Sequence, residues 1–179
     1  MALDVYLKSF LGGAPGGGDA RGALTLLETF GAELDDLGAW QIDLGDGVAA
    51  EVSGLADLAE AEAGEFWELA CLVRLSDLTP RGADFLFGLA QSGLMVVIYP
   101  HQEAPHGAYV YVPMEVDPVD LPSDALFDAA EGIETSNELH SVLAPLQLGH
   151  WSVQEDELTP ARTVRAGLFA RLSEWLWGR

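Results

Sequence analysis

The chain has 179 residues, 49% of them apolar, with 29 Asp and Glu against 8 Lys and Arg and a formal charge of −21. Such a balance argues against nucleic acid as a ligand, because phosphate binding rests on Lys and Arg, and the apolar content excludes a disordered acidic tail. A single cysteine, Cys71, excludes an intramolecular disulfide framework and a Cys-rich zinc site. No apolar run approaches 18 residues and no basic segment precedes an apolar stretch at the start, so neither a membrane span nor a signal peptide is expected, and the expected compartment is the cytoplasm.

In chain order, Leu3-Asp4-Val5-Tyr6-Leu7-Lys8 alternates with period two and reads as a half-buried strand. Gly12 to Gly18 reads as a flexible loop. Asp19 is placed to cap a helix to about Phe30 with Ala23, Leu26, Leu27 and Phe30 on one face. The runs Trp40–Leu44 and Val48–Val52, joined by Gly45-Asp46-Gly47, predict a hairpin. The order then recurs. Glu68 to Leu75 alternates, with Leu69, Cys71, Val73 and Leu75 on one face; Thr79-Pro80 opens a helix to about Gln91; Leu94 to Tyr99 is continuously apolar, as a central strand is; and Ala108 to Val112 pairs with it across the loop 100–107.

At an offset of 60 residues Asp19 falls on Thr79, Arg21 on Arg81, Gly22 on Gly82, Ala23 on Ala83, Leu26 on Leu86 and Leu34 on Leu94. Coincidence of caps, an Arg-Gly-Ala triplet and element order predicts an internal repeat, about 1–54 and 65–116, within one domain. A Pro- and Asp-rich linker, Asp117 to Pro122, leads to a helical extension, about 120–179. A short helix begins at Ser123 or Asp124, and Thr135 with Glu138 predicts a capping box for a second helix to about Leu143, before Pro145. His150 to Val153 reads as a short strand, and Thr159-Pro160 opens a last helix with Val164, Leu168, Leu172, Trp175 and Leu176 on one face. The expected fold is α+β: tandem strand-helix-strand-strand repeats in a mainly antiparallel sheet with helices on one face, plus this C-terminal helical segment. The element order is similar to that of the gyrase-inhibitor-like family. That resemblance, one of topology, implies a small-molecule cleft formed by the duplicated units.

The chain carries no recognisable catalytic set. The glycine-rich loop lacks the Lys of a P-loop, and Arg21 stands where a dinucleotide fingerprint needs its third glycine. Ser53 and Ser92 lack the nucleophile elbow, and Cys71 sits on an inward strand face. Glu51, Glu68 and Glu115, on or beside strands, read either as cleft carboxylates or as the wet side of a sheet. Arg21 and Arg81 fall at the second residue of their helices, where the macrodipole disfavours a cation, and read as an anion-binding pair or as partners of nearby carboxylates. His101 and His106 flank Glu103 in one loop, a weak metal pattern beside the plainer reading of a solvated hairpin loop. No cofactor is implied.

Charge distribution is the strongest signal. Residues 1–157 carry 28 acids and 4 bases, whereas residues 158–179 carry one acid and Arg162, Arg165, Arg171 and Arg179. The leading expectation is a non-enzymatic binding protein, immunity- or antitoxin-like, whose acidic face occludes a basic partner protein. Its contact residues would be Asp35, Asp36, Asp43, Asp46 and Trp177, with neither nucleic acid nor membrane as partner; the oligomeric state is left open. The competing expectation is a small-molecule-binding domain with a cleft between the repeats lined by Trp40, Trp67, Glu68, Arg21 and Arg81. An unrecognised enzyme stands third.

Overall fold

The structure, a computed structural model, describes residues 2–62 and 64–149. The expected strand at 150–153, the last helix and Trp177 lie outside the described residues. The elements in order are β1 (Leu3–Leu11), β2 (Ala14–Pro15), β3 (Gly18–Asp19), α1 (Ala20–Thr29), β4 (Glu33–Leu34), β5 (Ala39–Gly45), β6 (Val48–Ser53), β7 (Phe66–Trp67), β8 (Ala70–Leu75), α2 (Pro80–Ser92), β9 (Met95–Pro100), β10 (Ala108–Pro113), α3 (Ala125–Asp128), β11 (Glu131–Ile133) and α4 (Ser136–Gly149). The fold is α+β.

One sheet runs β11-β10-β9-β1-β8-β6-β5-β4, with β2 folded back on β1. It is antiparallel except for β11, which pairs in parallel with β10. The first strands β1 and β8 lie side by side at the centre, with Val5 opposite Val73 and Leu7 opposite Cys71. Each hairpin then attaches to the other unit's first strand: β9 pairs with β1, and β6 with β8. The helices crossing between them therefore lie together on one face.

That face is the main core. Leu3, Val5 and Leu7 of β1, with Cys71, Val73 and Leu75 of β8, meet Leu24 and Leu27 of α1, Phe85 and Leu89 of α2, and Leu139 and Leu143 of α4. Each fully buried Leu or Phe contributes about 2 kcal/mol. Burial pushes the Cys71 thiol up to about 12, against a weaker opposing hydrogen bond from the Leu7 backbone. Both predicted caps form: Asp19 accepts from the Gly22 amide at 2.8 Å and Thr79 from the Gly82 amide at 3.1 Å. Thr135 likewise accepts from the Glu138 amide at 3.2 Å. The helix it starts does not stop before Pro145; α4 continues through it to Gly149. Packing of Leu139 and Leu143 against the core outweighs the backbone hydrogen bond lost at the proline.

The opposite face carries a smaller apolar cluster, in which Tyr6, Phe10, Val96, Ile98 and Val110 meet Phe127 of α3. So the three longer helices share one face, and the four-residue α3 lies on the other. The glycine loop is pinned rather than free: the Gly12 amide donates to Asp120 Oδ1 at 2.9 Å and the Gly13 amide to Asp120 O at 3.0 Å. The Gly12 and Gly13 amides are thus taken up within the fold. Among the described residues no helix is long and apolar enough to cross a membrane.

Candidate protein interface

Over β8, β6, β5 and β4 the helix-free face is polar, because period-two alternation sends Val73, Val52 and Ile42 into the core and their neighbours outward. Strand register aligns those neighbours in a row. Asp4 lies opposite Arg74, Arg74 opposite Glu51, Glu51 opposite Gln41 and Gln41 opposite Glu33. Arg74 Nε donates to Asp4 Oδ1 at 3.0 Å, and its Nη1 lies 3.6 Å from Glu51 Oε1. Gln41 Nε2 donates to Glu51 Oε2 at 3.3 Å and to Asp35 Oδ2 at 2.9 Å. The hydrogen bond and charge of Asp4 hold the Arg74 guanidinium above its ordinary value, with Glu51 adding to them. One cation thus stands among Asp4, Glu51, Asp35 and Glu33. Exposed pairs of this kind contribute less than about 1 kcal/mol each, so the row leaves an acidic surface more than it stabilises the sheet.

At the edge of this row the loop between β4 and β5 is preorganised. Asp35 Oδ1 accepts from the amides of Leu37 at 2.8 Å and Ala39 at 2.9 Å. Those backbone bonds, Ala39 foremost, and the Gln41 side chain hold its carboxyl below the ordinary aspartate value. Gly38 supplies the left-handed residue of the turn at φ 80°. The loop presents Leu37 at 94% exposure beside exposed Asp36, with Leu34 at 43% on the edge strand.

The four acids expected to contact a partner are therefore of two kinds. Asp36 and Asp46 are exposed, and among the described residues no side-chain bond ties either to the fold; Asp46 occupies the left-handed region at φ 55° in the hairpin turn. Asp35 and Asp43 are turn residues, Asp43 accepting from the Gly45 amide at 2.8 Å. In the sequence all four read alike, as acidic contact residues. Two of them also build the loops that carry the others.

The residues expected to line a cleft between the units are not gathered there. Trp40 is a core residue at 7% exposure, its Nε1 donating to Leu55 O at 2.8 Å. Trp67 is half-buried on β7, which pairs with β3, and its Nε1 donates to Glu65 Oε2 at 3.3 Å. Glu68 is 58% exposed and lies 3.8 Å from Lys8 Nζ. Arg21 and Arg81 do not meet, because the start of α1 abuts the end of α2. A Cβ on Gly22 would come within 2.2 Å of Ser92 O, and the Asp19 amide donates to Gly93 O. Arg81 stands at the other end of α2, about 16 Å of helix away. Where α1 crosses α2 the contact is close, with Gly88 admitting Leu26.

The histidine loop is likewise put to structural use. His101 is buried between Tyr99 and Tyr109, with ring centroids at 5.9 and 5.7 Å, and its Nδ1 accepts from the Glu103 amide at 3.2 Å. His106 is exposed. Among the described residues no group of three or more His, Cys, Asp or Glu is arranged to hold a metal.

Arg74, Asp4, Leu34 and Leu37 stand beside the expected acids on this surface without having been expected there. Asp35-Asp36-Leu37-Gly38 did carry a signal, since Asp at the first and Gly at the fourth position of a turn is the type I preference. The cross-strand row carried none, because register between strands far apart in sequence is not written locally. Compared with models of protein families, with curated proteins and with solved structures, the chain matches none.

Proposed function

We propose that this chain is a non-enzymatic binding protein that engages a basic partner protein through its acidic sheet edge and blocks it by occlusion, as an immunity protein or antitoxin does. The observation that carries the reading is Leu37, 94% exposed on a loop fixed by the Asp35 carboxylate and set among Glu33, Asp36 and the row ending at Asp4. An exposed apolar side chain on a rigid loop costs a protein solubility and loses little entropy when buried by a partner, the property of an anchor. The carboxylates around it steer a basic surface into place and repel an acidic one. The coincident caps at Asp19 and Thr79, with the same element order on either side of β1 and β8, support reading 1–54 and 65–116 as related units.

The test is a binding measurement against basic proteins encoded beside this chain. Association slows at least about tenfold between ~0.05 M and ~0.5 M salt, and Asp36→Lys with Asp46→Lys reproduces that slowing at low salt. Leu37→Ala instead speeds dissociation at least about tenfold while leaving the melting temperature unchanged. Association indifferent to salt, or binding undisturbed by all three substitutions, would remove the reading.

A further inference from the structure

The sheet ends on β11, whose outer edge no other strand covers among the described residues. Which of its backbone groups face outward follows from a proline. In a parallel pair, an inward-facing residue bonds to the two residues that flank its opposite number. Val112 lies opposite Gly132. Had Gly132 faced inward, its carbonyl would need the N–H of residue 113, and Pro113 has none. Val112 therefore makes the bonds, to Glu131 and Ile133, and the N–H and C=O of Gly132 point away from the sheet. Among the described residues neither finds another partner. Gly132 is exposed, and in a glycine that exposure is of the backbone itself.

Nothing within the chain asks for glycine at this place. Its φ is not left-handed, and a Cβ built on it would meet nothing within 4 Å. Such a glycine inside a strand lets another backbone or a ligand approach closely. Beside it, on the face that carries α3, lies a cleft of about 560 Å3, lined by Val112, Met114, Val119, Phe127, Asp128 and Gly132 itself. Met114 and Val119 are 69% and 79% exposed on its rim. Asp128 and Glu131 are exposed as well, and no Lys or Arg lines the cleft.

We propose that β11 takes up an extended segment of a basic protein as one more strand of the sheet. The segment runs antiparallel, the more stable pairing, and one of its residues exchanges both backbone hydrogen bonds with Gly132. Residues paired in this way share a face. The side chain opposite Gly132 therefore lies on the α3 face, where the bare glycine leaves it room to lean over β11 into the cleft. That residue is large and apolar. Its two neighbours point to the other face, the side of Glu131, and are Lys or Arg. A second copy of the chain does not fit: it brings a charge of −21, and its own edge reads Glu131-Gly132-Ile133, an acid beside a glycine where a base beside a large apolar residue is required. This edge is at the other end of the sheet from Leu37 and works independently of the acidic row.

The probe is a fluorescein-labelled peptide, Thr-Arg-Phe-Arg-Thr, titrated with the full chain and read by anisotropy. Two controls accompany it: the same peptide N-methylated at the Phe amide, and Thr-Glu-Phe-Glu-Thr. The parent peptide is expected to bind with a Kd below about 1 mM. The N-methylated form loses the hydrogen bond to the Gly132 carbonyl and should bind about tenfold more weakly, and the acidic form should not bind. At ten times the Kd, amide exchange at Gly132 should slow about tenfold, while Val112, already in the ladder, stays as it was. Gly132→Pro removes the outward donor without breaking a ladder bond, a place where an edge strand tolerates proline, and should weaken the parent peptide about tenfold at an unchanged melting temperature. Gly132→Val keeps that donor and fills the space over the glycine, so it should weaken binding even if the proline variant fails to fold. Equal binding of the N-methylated and parent peptides, or no protection of Gly132 at saturation, would reduce the contact to charge and overturn the proposal. So would the absence of binding, or a dimer of the chain alone that Gly132→Pro dissolves, which would put a second copy on this edge.

Discussion

The hairpins β5–β6 and β9–β10 hold the same place in the order of elements yet meet opposite surroundings. In β5, Trp40, Ile42 and Leu44 are buried while Gln41, Asp43 and Gly45 are exposed. In β9, Met95 through Tyr99 are all at most 4% exposed. The difference is cover. The helix layer lies under both arms, but only the second arm belongs to the apolar cluster that includes Phe127 on the other face. One arm is thus spent on the core twice over, and the other keeps a polar face for solvent or a partner.

The largest way to break that contrast is substitution on the helix-free face of each arm. Ile98→Ala removes a fully buried side chain from the second arm and is expected to lose about 3 kcal/mol in urea unfolding. Glu51→Ala on the first arm is expected to stay within about 0.5 kcal/mol. A costly Glu51→Ala, or a harmless Ile98→Ala, would mean the two faces had been assigned the wrong way round. The arms also divide by pH. Tyr111, on β10, is pushed from 10.0 up to about 12 by burial first, then by Glu131 and its tyrosine neighbours. Its folded value lies above its unfolded one, so its contribution is intact below pH 10 and is lost as pH rises toward 12, about 3 kcal/mol at most. Tyr111→Phe should flatten that part of the alkaline limb of a stability-against-pH curve, and an unaltered limb would show that the phenol titrates normally.

How far the contrast could be read in advance follows from the range of each cause. Alternation in Trp40–Leu44 and the unbroken run Met95–Tyr99 announce one covered face and two, because burial acts residue by residue. Asp19, Thr79 and the Gly45-Asp46-Gly47 turn were legible for the same reason: each needs only its own dihedral angles and the next three residues. The exchange of hairpins across β1 and β8 was not legible, since several pairings of these strands satisfy the same alternation. That lost the row from Asp4 through Arg74 to Glu51, which exists only in the true register. Trp40 was misjudged because an indole is equally suited to a pocket wall and to a core, and the Leu55 carbonyl that receives its N–H decides for the core.

A smaller effect sharpens the first arm. Arg74→Ala removes the one cation in the row and leaves Asp4 and Glu51 facing each other across β8. The expected loss is about 1 kcal/mol or less, growing as salt is lowered, and measured as the melting temperature at two ionic strengths. If salt made no difference, the row would be held by its hydrogen bonds rather than by charge.

The smallest expected effect falls on the loop that presents Leu37. Asp35 is held below its ordinary value of 3.8 chiefly by the Ala39 amide and then by the Gln41 side chain, against an opposing effect of desolvation, with the Leu37 and Gly38 amides adding less. A carboxyl with a lowered folded value contributes stability above its unfolded pKa and loses it as pH falls through the folded one. The loop should therefore stay formed at pH 4 and come apart only below 3.8, while the sheet beneath it, built on apolar contacts, does not respond. Following the Ala39 amide resonance against pH would report this directly. Asp35→Asn can still accept through its one side-chain oxygen from the Leu37 and Ala39 amides, though not from Gln41 at the second position, and does not titrate, so its Ala39 resonance should hold its position through the acid range. A midpoint at or above 3.8 in the unsubstituted chain would mean that Asp35 is loosely held, and Leu37 would then be an exposed leucine on a floppy turn rather than an anchor.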